Sequence, residues 1–519
     1  MTSELRSLHL TSPEPAEFDL RSKASRGRVS IELSATRMTG RLMRGASALE
    51  LLSRVTAFTG RQRPLPAWAH AGAVVGIQGG TARVLNLTAR LLAANASVAG
   101  VWLQDWAGAY AQTILNMTQM RLRWNWVLDR QLYPEWEAMV ASLSARGVRT
   151  YTYVNSFLQN LTASLGNDSR YGPAYERGVL LLGPDNATTV DVASGPGLHA
   201  GLLDLSTARG RDFAREMVAE MIGVGSSGWM ADFGEYLPLD STPRSSNGAT
   251  FEHNRYPLQW QQANAAAVAA VAAGEDAPVW FARSSALTSP GVVPLFWLGD
   301  QMPSWDGDDG LASTITAMLS SGVSGHALTH SDTGGYTTVV FARYTRSAEL
   351  LQRWTELNTF TAFLRSHEGS APAPNAQPYD EGASLTAFAR SSRLFASLAP
   401  YRTELMEEAA ARGWPLVRPT WLHHEDDAAT LDLDRQFLMG ADLLVAPVLA
   451  AGASTVRAYL PRGLWRRAFN GSVHNSTGEW LQAEAPLGKP AAWARLDPAS
   501  REPRPSLVPF LQLASEADF

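Results

Sequence analysis

The sequence has no cysteine among its 519 residues, and its basic residues are almost all arginine. The absence of cysteine excludes disulfides, thiolate metal ligands, cysteine nucleophiles and iron–sulfur clusters. Lys23 and Lys489 are the only lysines, no basic run occurs, and the formal net charge is −5. Because phosphate binding requires concentrated Lys and Arg, this composition disfavours a nucleic acid or an anionic membrane as a partner.

Long apolar runs are also missing. The longest near-apolar stretch, Ala263–Gly274, is shorter than the ~20 apolar residues that a membrane span needs. The opening segment MTSELRSLHLTSPEPAEF contains no apolar core of a secretory signal. Sequons have a meaning only in a secreted chain, and this chain has N-x-S/T at Asn86, Asn95, Asn116, Asn160, Asn167, Asn186, Asn470 and Asn475. Secretory and cytoplasmic locations therefore both stay open.

Three segments resemble cofactor motifs but lack the context that each motif requires. Gly223–Gly228 matches GxGxxG, yet it follows a predicted helix and precedes a strand, the reverse of a dinucleotide fingerprint. Asp306–Gly310 lacks the terminal Glu of a calcium loop, and His423–Glu425 lacks the HExxH spacing of a zinc site. The sequence therefore predicts neither a metal nor an organic cofactor.

From about residue 70, short apolar runs alternate with helical stretches, as in an α/β protein. The predicted strands are Ala73–Ile77, Val98–Gln104, Arg149–Asn155, Gly228–Phe233, Pro278–Arg283, Leu295–Gly299, Gly325–His330 and Leu416–Pro419. The predicted helices between them include Glu135–Ala145, Arg211–Met221, Trp260–Ala273, Ser313–Ser320 and Ala348–Phe363. Eight such units predict a (β/α)8 TIM barrel, because each parallel strand needs a covering crossover helix.

Polar residues follow nearly every predicted strand, and in a barrel these ends meet at one mouth, where active sites lie. After about Leu431, short strands and turns replace the alternation. We therefore predict a catalytic barrel at residues 56–430 and a small C-terminal all-β domain at residues 431–519.

Two aspartates end predicted strands of this barrel. Asp232 closes the run GWMAD, and Asp300 follows PLFWLG. An ionised carboxylate at the end of a buried strand is costly unless it is paired or used. A helix cap or a structural ion pair explains either one alone. Together at one mouth they indicate retaining glycoside hydrolysis, in which carboxylates ~5–5.5 Å apart attack the sugar and protonate the leaving oxygen.

Longer motifs carry a resemblance to a known family. They are GIQGG (76–80), WLQDWAG (102–108), GWMADFGEYLP (228–238), GDQ (299–301), HSDTGGY (330–336), RSHEG (365–369) and DLLVAPV (442–448). Over residues 56–495 the chain resembles the sulfoquinovosidase branch of glycoside hydrolase family 31. The resemblance implies a retaining α-glycosidase built on a (β/α)8 barrel, which agrees with the pattern of strands and helices.

The resemblance also implies roles for individual residues. Asp232 matches the family's nucleophile and Asp300 its acid/base, whose pKa should be raised so that it can donate a proton. Arg283 and His367 match residues that bind the sugar in the −1 subsite, and Arg283 would help to keep Asp232 charged. Asp332 matches an HxD feature that has either a structural or a functional role.

Four further residues match the family's recognition of sulfoquinovose, which is glucose with a sulfonate on C6: Gln104, Arg121, Trp124 and Tyr336. A guanidinium, an indole N–H and a phenol suit an anion that accepts hydrogen bonds but cannot donate them. The alternative interpretation makes Arg121 or Arg123 a surface arginine and Trp124 a core residue.

The chain departs from the family in having only some 55 residues before the barrel, where the family has a β-sandwich. Either the chain is truncated or this form dispenses with the sandwich, and residues 1–55 are predicted to be a remnant of that region. The predicted function is release of sulfoquinovose from sulfoquinovosyl glycerol or sulfolipid glycosides. The alternatives are a family 31 α-glucosidase or α-xylosidase acting on a neutral glycoside, and a catalytically silent paralogue.

Overall fold

A parallel sheet closes on itself to form a barrel in the middle of the chain. The computed structural model describes residues 5–19, 30–114, 117–193, 199–271 and 276–516. In chain order, the first to eighth barrel strands are Ala73–Gly76, Val98–Trp102, Arg149–Asn155, Gly228–Asp232, Val279–Ala282, Leu295–Trp297, Thr329–His330 with Asp332–Thr333, and Arg365–Ser366.

The barrel closes at its seventh strand, which is interrupted at Ser331. Its first half pairs with the sixth strand and its second half with the eighth, which in turn pairs with the first. All other neighbours are consecutive and parallel. Every barrel strand is therefore bonded on both sides, and the carboxyl ends of all eight lie at one mouth.

The barrel strands are buried on both faces, between the barrel interior and the surrounding helices. Val98–Trp102, Gly228–Asp232 and Val279–Ala282 have no exposed residue, which explains why their sequences read as continuous apolar runs. The helices from the first strand onward are Thr81–Ala93, Trp136–Ser144, Thr162–Leu165, Tyr171–Glu176, Ala208–Gly223, Ala249–His253, Tyr256–Val271, Leu311–Val323, Ala348–Asn358, Ala383–Ser397 and Ala399–Arg412.

Ala208–Gly223 shows how sequence pattern produces such a helix. The Thr207 side chain caps it by accepting a hydrogen bond from the Gly210 amide at 3.1 Å. Phe213, Met217 and Met221 recur every four residues and are all buried, so one apolar stripe faces the barrel.

Antiparallel strands flank the barrel at both ends of the chain. In the N-terminal region, Arg6–Leu10 pairs with Gly40–Arg44 and Ala16–Asp19 with Ser30–Leu33, and the helix Ala48–Thr59 follows. The C-terminal sheet contains, in spatial order, Val417–Arg418, Phe437–Met439, Leu443–Ala446, Ala491–Leu496, Gly463–Arg467 and Val473–Ser476. Thr455–Leu460 and Glu479–Glu484 form a separate hairpin beside it.

Two expectations from the sequence need correction. Leu416–Pro419 is not a barrel strand, because Val417–Arg418 pairs antiparallel with Phe437–Met439 in the C-terminal sheet. The eighth barrel strand is instead Arg365–Ser366, which is too short to stand out as an apolar run. The C-terminal part also contains a helix, Val508–Ala514, whose Phe510 packs edge-on against Phe360 with ring centroids 5.8 Å apart.

Several features of the sequence reach beyond the described residues. They are the sequon at Asn116, the end of the stretch Ala263–Gly274 and of the predicted helix Trp260–Ala273, and residues 1–4, 20–29 and 517–519 of the predicted terminal domains. The domain boundaries at 55 and 430 stay predictions. Within the described ranges, none of the helices combines the length and apolar character that a membrane crossing needs.

Candidate active site

A cavity of about 500 Å³ opens at the mouth of the barrel. Seven of the eight predicted site residues line it: Gln104, Arg121, Trp124, Asp232, Asp300, Tyr336 and His367. The eighth, Arg283, bonds to two of these seven. The barrel thus brings together residues that lie up to 263 positions apart in the sequence, because they end or follow the second, fourth, fifth, sixth, seventh and eighth strands.

Asp232 ends the fourth barrel strand and is buried. One carboxylate oxygen, Oδ2, accepts a hydrogen bond from the Tyr153 hydroxyl at 2.5 Å, and Oδ1 accepts one from the Phe233 amide at 2.7 Å. Burial and the Asp232 charge raise the pKa of Tyr153 well above its ordinary value, so the phenol stays a donor. Asn155 donates in turn to the Tyr153 oxygen at 3.2 Å. Both oxygens of Asp232 are therefore fixed in direction.

The backbone turns sharply immediately after Asp232. Phe233 has φ 57° and Gly234 has φ 104°, both in the left-handed region. The Ser284 hydroxyl donates to the Phe233 carbonyl at 2.7 Å and stabilises this turn. A Cβ on Gly234 would lie 2.6 Å from the same hydroxyl, so glycine is required at this position.

Arg283 lies between the two aspartates. Its Nη1 atom is 3.3 Å from Asp232 Oδ1 and 3.3 Å from Asp300 Oδ2. The two carboxylate oxygens are therefore no more than 6.6 Å apart, twice that distance. Inverting glycosidases separate their carboxyl groups by about 6.5–9.5 Å, and retaining ones by about 5–5.5 Å. This upper limit allows the retaining spacing and excludes nearly all of the inverting range.

Glu235 completes the charged group and was missed as a site residue, although it stands in the motif GWMADFGEYLP. Its Oε1 accepts from Arg283 Nε at 2.9 Å and from Nη2 at 2.6 Å. Burial lowers the pKa of Arg283, but the charges of Asp232, Glu235 and Asp300 outweigh burial and raise it. We call Asp232, Glu235, Arg283 and Asp300 the carboxylate floor.

Asp300 differs from Asp232 in its surroundings. Its side chain is 39% exposed, and no backbone amide among the described residues donates to its carboxylate. Partial loss of water around the carboxyl group at the barrel mouth, and then the Asp232 charge, raise the pKa of Asp300 above its ordinary value, while Arg283 opposes the shift. Two neighbouring carboxylates cannot both ionise easily, so the more weakly bonded one retains its proton to higher pH.

Aromatic and imidazole groups form another part of the cavity wall. Trp124 stacks on Phe157 with centroids 5.3 Å apart, and Tyr336 packs against His367 at 4.5 Å. His367 Nδ1 accepts from the Gly369 amide at 2.9 Å, which places the proton of the neutral ring on Nε2. Burial lowers the pKa of His367 well below its ordinary value, so the ring stays neutral.

Arg121 lies on a hairpin formed by Ala109–Ile114 and Met117–Leu122, which we call the Arg121 hairpin. Its guanidinium lines the cavity and has no carboxylate within ion-pair distance among the described residues. Arg123, by contrast, pairs with Asp129 at 2.8 Å and does not line the cavity. Arg121 is therefore the arginine that faces the cavity.

Two further acids near the cavity are already bonded and were not predicted. Asp105 accepts from the Tyr133 hydroxyl and from the Gly79 amide at 2.8 Å, and burial raises its pKa to about 6. Glu368 pairs with Arg83 at 2.8 Å. Both acids follow barrel strands, the second and the eighth, and both stand in motifs of the resemblance, WLQDWAG and RSHEG.

Asp332 lies in the barrel interior, where it is fully buried and paired with Arg365. Arg365 Nε also donates to His330 Nε2 at 3.1 Å. Among the described residues no group of three or more His, Asp and Glu side chains is arranged to hold a metal ion. This network therefore links the seventh and eighth strands.

Known proteins match both the fold and the sequence. The family model for the glycosyl hydrolases family 31 TIM-barrel domain matches residues 80–405, and the model for the glycosyl hydrolase family 31 C-terminal domain matches residues 413–496. The chain belongs to glycoside hydrolase family 31. Its barrel and its antiparallel C-terminal sheet are those of the family, as the sequence predicted.

Individual relatives are similar over most of the chain. A sulfoquinovosidase from Escherichia coli is 35% identical over 453 residues, which are 86% of this chain and 64% of that protein. One from Agrobacterium fabrum is 34% identical over 501 residues, 96% of this chain and 72% of that protein. The solved structure of a family 31 sulfoquinovosidase from E. rectale, in complex with an aza-sugar inhibitor, matches with a TM-score of 0.91 and 33% identity, covering 99% of this chain and 73% of that one.

Proposed function

We propose that the protein is a retaining α-sulfoquinovosidase, a hydrolase that releases sulfoquinovose from α-linked glycosides. The observation that carries the proposal is a cavity that holds two close carboxylates and, on a different wall, an arginine without a carboxylate partner among the described residues. The carboxylate pair suits glycoside hydrolysis, and the unpaired guanidinium suits an anionic sugar. The similarity to three sulfoquinovosidases supports the same substrate class.

In the first step, Asp232 attacks the anomeric carbon and forms a β-linked glycosyl–enzyme ester. Asp300 donates its proton to the glycosidic oxygen as the bond to the leaving group breaks. The Tyr153 hydroxyl and Phe233 amide keep the carboxylate of Asp232 in one orientation for this attack. The raised pKa of Asp300 supplies the acid form that the step requires.

In the second step, Asp300 acts as a base instead of an acid. Asp300, now a carboxylate, accepts a proton from water, and the resulting hydroxide equivalent attacks the anomeric carbon. The ester bond to Asp232 breaks, and the sugar leaves with the α configuration it had at the start. The neutral His367 ring, with its proton on Nε2, can donate a hydrogen bond to a sugar hydroxyl in both steps.

Arg121 binds the sulfonate, and Trp124 and Tyr336 donate further hydrogen bonds to it. Gln104 binds the sugar hydroxyls. A sulfonate gives Arg121 the counter-ion that none of the described residues supplies. A neutral hydroxymethyl group leaves this arginine unpaired as the cavity loses water, at a cost of about 2–5 kcal/mol. The protein should therefore discriminate between the two sugars by charge rather than by size.

The test is side-by-side kinetics on nitrophenyl α-sulfoquinovoside and nitrophenyl α-glucoside. We expect kcat/KM to be at least ~100-fold higher on the sulfonated substrate, and NMR of the first-formed sugar to show the α anomer. Equal or better turnover of the glucoside would favour the neutral-glycoside alternative, and a β anomer would exclude double displacement. No turnover of either glycoside by folded protein would support the silent-paralogue alternative.

A further inference from the structure

The Arg121 guanidinium is held by one side chain on its own hairpin. Arg121 lies directly opposite Tyr110, and Gln112 follows Tyr110 by two residues, so Gln112 and Arg121 are diagonal neighbours on one face. Arg121 Nε donates to Gln112 Oε1 at 3.1 Å. Among the described residues, Gln112 is the only acceptor bonded to this guanidinium.

This bond decides which donors of Arg121 stay available. A guanidinium has five N–H donors, and the bond to Gln112 uses the one on Nε. The four donors on Nη1 and Nη2 form the flat fork that binds an oxyanion through two parallel hydrogen bonds. With Nε fixed, the plane of the fork is fixed as well, so less rotamer freedom is lost when the anion binds.

The base of the hairpin is itself bonded to the barrel, so Gln112 acts within a fixed frame. The buried Gln159 side chain donates to the Tyr110 hydroxyl at 2.9 Å and accepts from the Trp124 amide at 3.3 Å. The Gln159 amide also donates to the Trp124 carbonyl at 2.9 Å. Tyr110 and Trp124 are therefore tied together, and Gln112 is left to set the direction of the Arg121 side chain.

We propose that Gln112 is a positioning residue that orients Arg121 toward the anionic group of the substrate. The proposal rests on the proposed function, since it assumes a substrate whose anion Arg121 binds. Gln112 acts through Arg121 and touches neither the carboxylate floor nor the reacting atoms. Its contribution should therefore appear in the binding of sulfonated substrates and not in the chemical step.

Gln112→Met removes the acceptor and keeps the length of the side chain. We expect KM for nitrophenyl α-sulfoquinovoside to rise about fivefold, the value of one hydrogen bond, with kcat unchanged within about twofold. Kinetics on nitrophenyl α-glucoside should not change. The matched control is Gln482→Met, on the exposed face of the hairpin strand Glu479–Glu484, which should change neither substrate.

Gln112→Glu separates positioning from packing. A glutamate holds Arg121 at least as firmly, but its charge neutralises the guanidinium and repels the sulfonate. We expect kcat/KM on the sulfonated substrate to fall on the order of 50-fold, more than in Gln112→Met, and the loss to shrink at high salt. A merely structural role would make the two variants alike.

Two results would overturn the proposal: equal losses on both substrates in Gln112→Met, or a Gln112→Glu variant no worse than Gln112→Met. Either result leaves the proposed function standing, provided that the wild-type protein prefers the sulfonated glycoside. If the wild-type protein shows no such preference, that result contradicts the proposed function itself, independently of the kinetics of the variants.

Discussion

The carboxylate floor and the Arg121 hairpin hold their charged groups in opposite ways. In the floor, Arg283 contacts three carboxylates, and Asp232 is bonded by a phenol and a backbone amide. On the hairpin, Arg121 has one neutral partner among the described residues, Gln112. In the floor, each charged group thus has a partner of opposite sign before any ligand arrives. The Arg121 guanidinium has no such partner among the described residues, so a ligand can supply its counter-ion.

The comparison indicates a division of labour. Under the proposed function, barrel strands that are bonded on both sides set the reaction geometry, while a two-stranded hairpin sets the selectivity. Changes in the floor should therefore affect all substrates alike, and changes on the hairpin should affect only charged ones. Three predictions test this division.

The largest effect is expected for Asp232→Asn, which replaces the proposed nucleophile with a neutral amide. Turnover of both glycosides should fall on the order of 10⁴-fold or more, since the covalent step is lost. Steady-state kinetics measure the loss, and mass spectrometry with a mechanism-based fluoro-sugar checks that Asp232 is the labelled residue. The control is Asp308→Asn, an exposed aspartate that follows the sixth barrel strand. Labelling of another residue, or a loss confined to one substrate, would contradict the prediction.

A smaller and selective effect is expected for Arg121→Met. The kcat/KM on nitrophenyl α-sulfoquinovoside should fall on the order of 100-fold, because the sulfonate loses its charged partner. The kcat/KM on nitrophenyl α-glucoside should stay within about threefold or rise, because an unpaired charge is removed.

Arg123→Met is the matched control, two residues away on the same segment. It breaks the pair with Asp129 and should not alter the ratio between the two substrates. If both variants changed the ratio equally, the effect would belong to the stability of the hairpin rather than to charge.

The smallest effect is expected in the pH dependence of kcat/KM, which should depend on the carboxylate floor and not on the Arg121 hairpin. Asp300 must be protonated to act as an acid, and its pKa is raised by burial and by Asp232. Activity is therefore present below this raised pKa and should fall about tenfold per pH unit as pH rises above it. The pH profile of kcat/KM on nitrophenyl α-glucoside measures this loss of activity at high pH.

The same loss of activity at high pH should persist in Arg121→Met, since Arg121 has no contact with Asp300 among the described residues. If this loss of activity at high pH disappeared in Arg121→Met, the Arg121 hairpin and the carboxylate floor would be coupled. A loss of activity that already begins at the ordinary pKa of an aspartate, about 3.9, would contradict the proposed role of Asp300 as the acid.

The sequence indicated the parts of the fold that have strong local patterns. Arg149–Asn155 was predicted with its observed bounds, because its threonine, tyrosine and valine residues form one run of β-branched and aromatic side chains. Arg365–Ser366 was missed, because a strand of two residues is recognisable only by its neighbours, Val74 and Asp332. Leu416–Pro419 was assigned to the wrong sheet, since an apolar run does not reveal its pairing partner.

The candidate site shows the same limit. Asp232 and Asp300 stood out because a charged residue at the end of an apolar run is unusual. Tyr153 did not stand out, because a tyrosine in a strand is ordinary, and its bond to Asp232 appears only when the third and fourth strands pair in register. Glu235 and Gln112 were missed for the same reason: their partners, Arg283 and Arg121, are reached only through the fold.

The sequence by itself determined the order of strands and helices, the family, and the residue types that line the mouth of the barrel. Those properties follow from local periodicity and from motifs whose residues are close together in the chain. Only the tertiary structure decided which charges are balanced: Arg123 pairs with Asp129, whereas Arg121 lines the cavity with Gln112 beside it. Charge balance depends on distances of a few ångströms between segments that are remote in sequence, because electrostatic energy falls with separation in space and not along the chain.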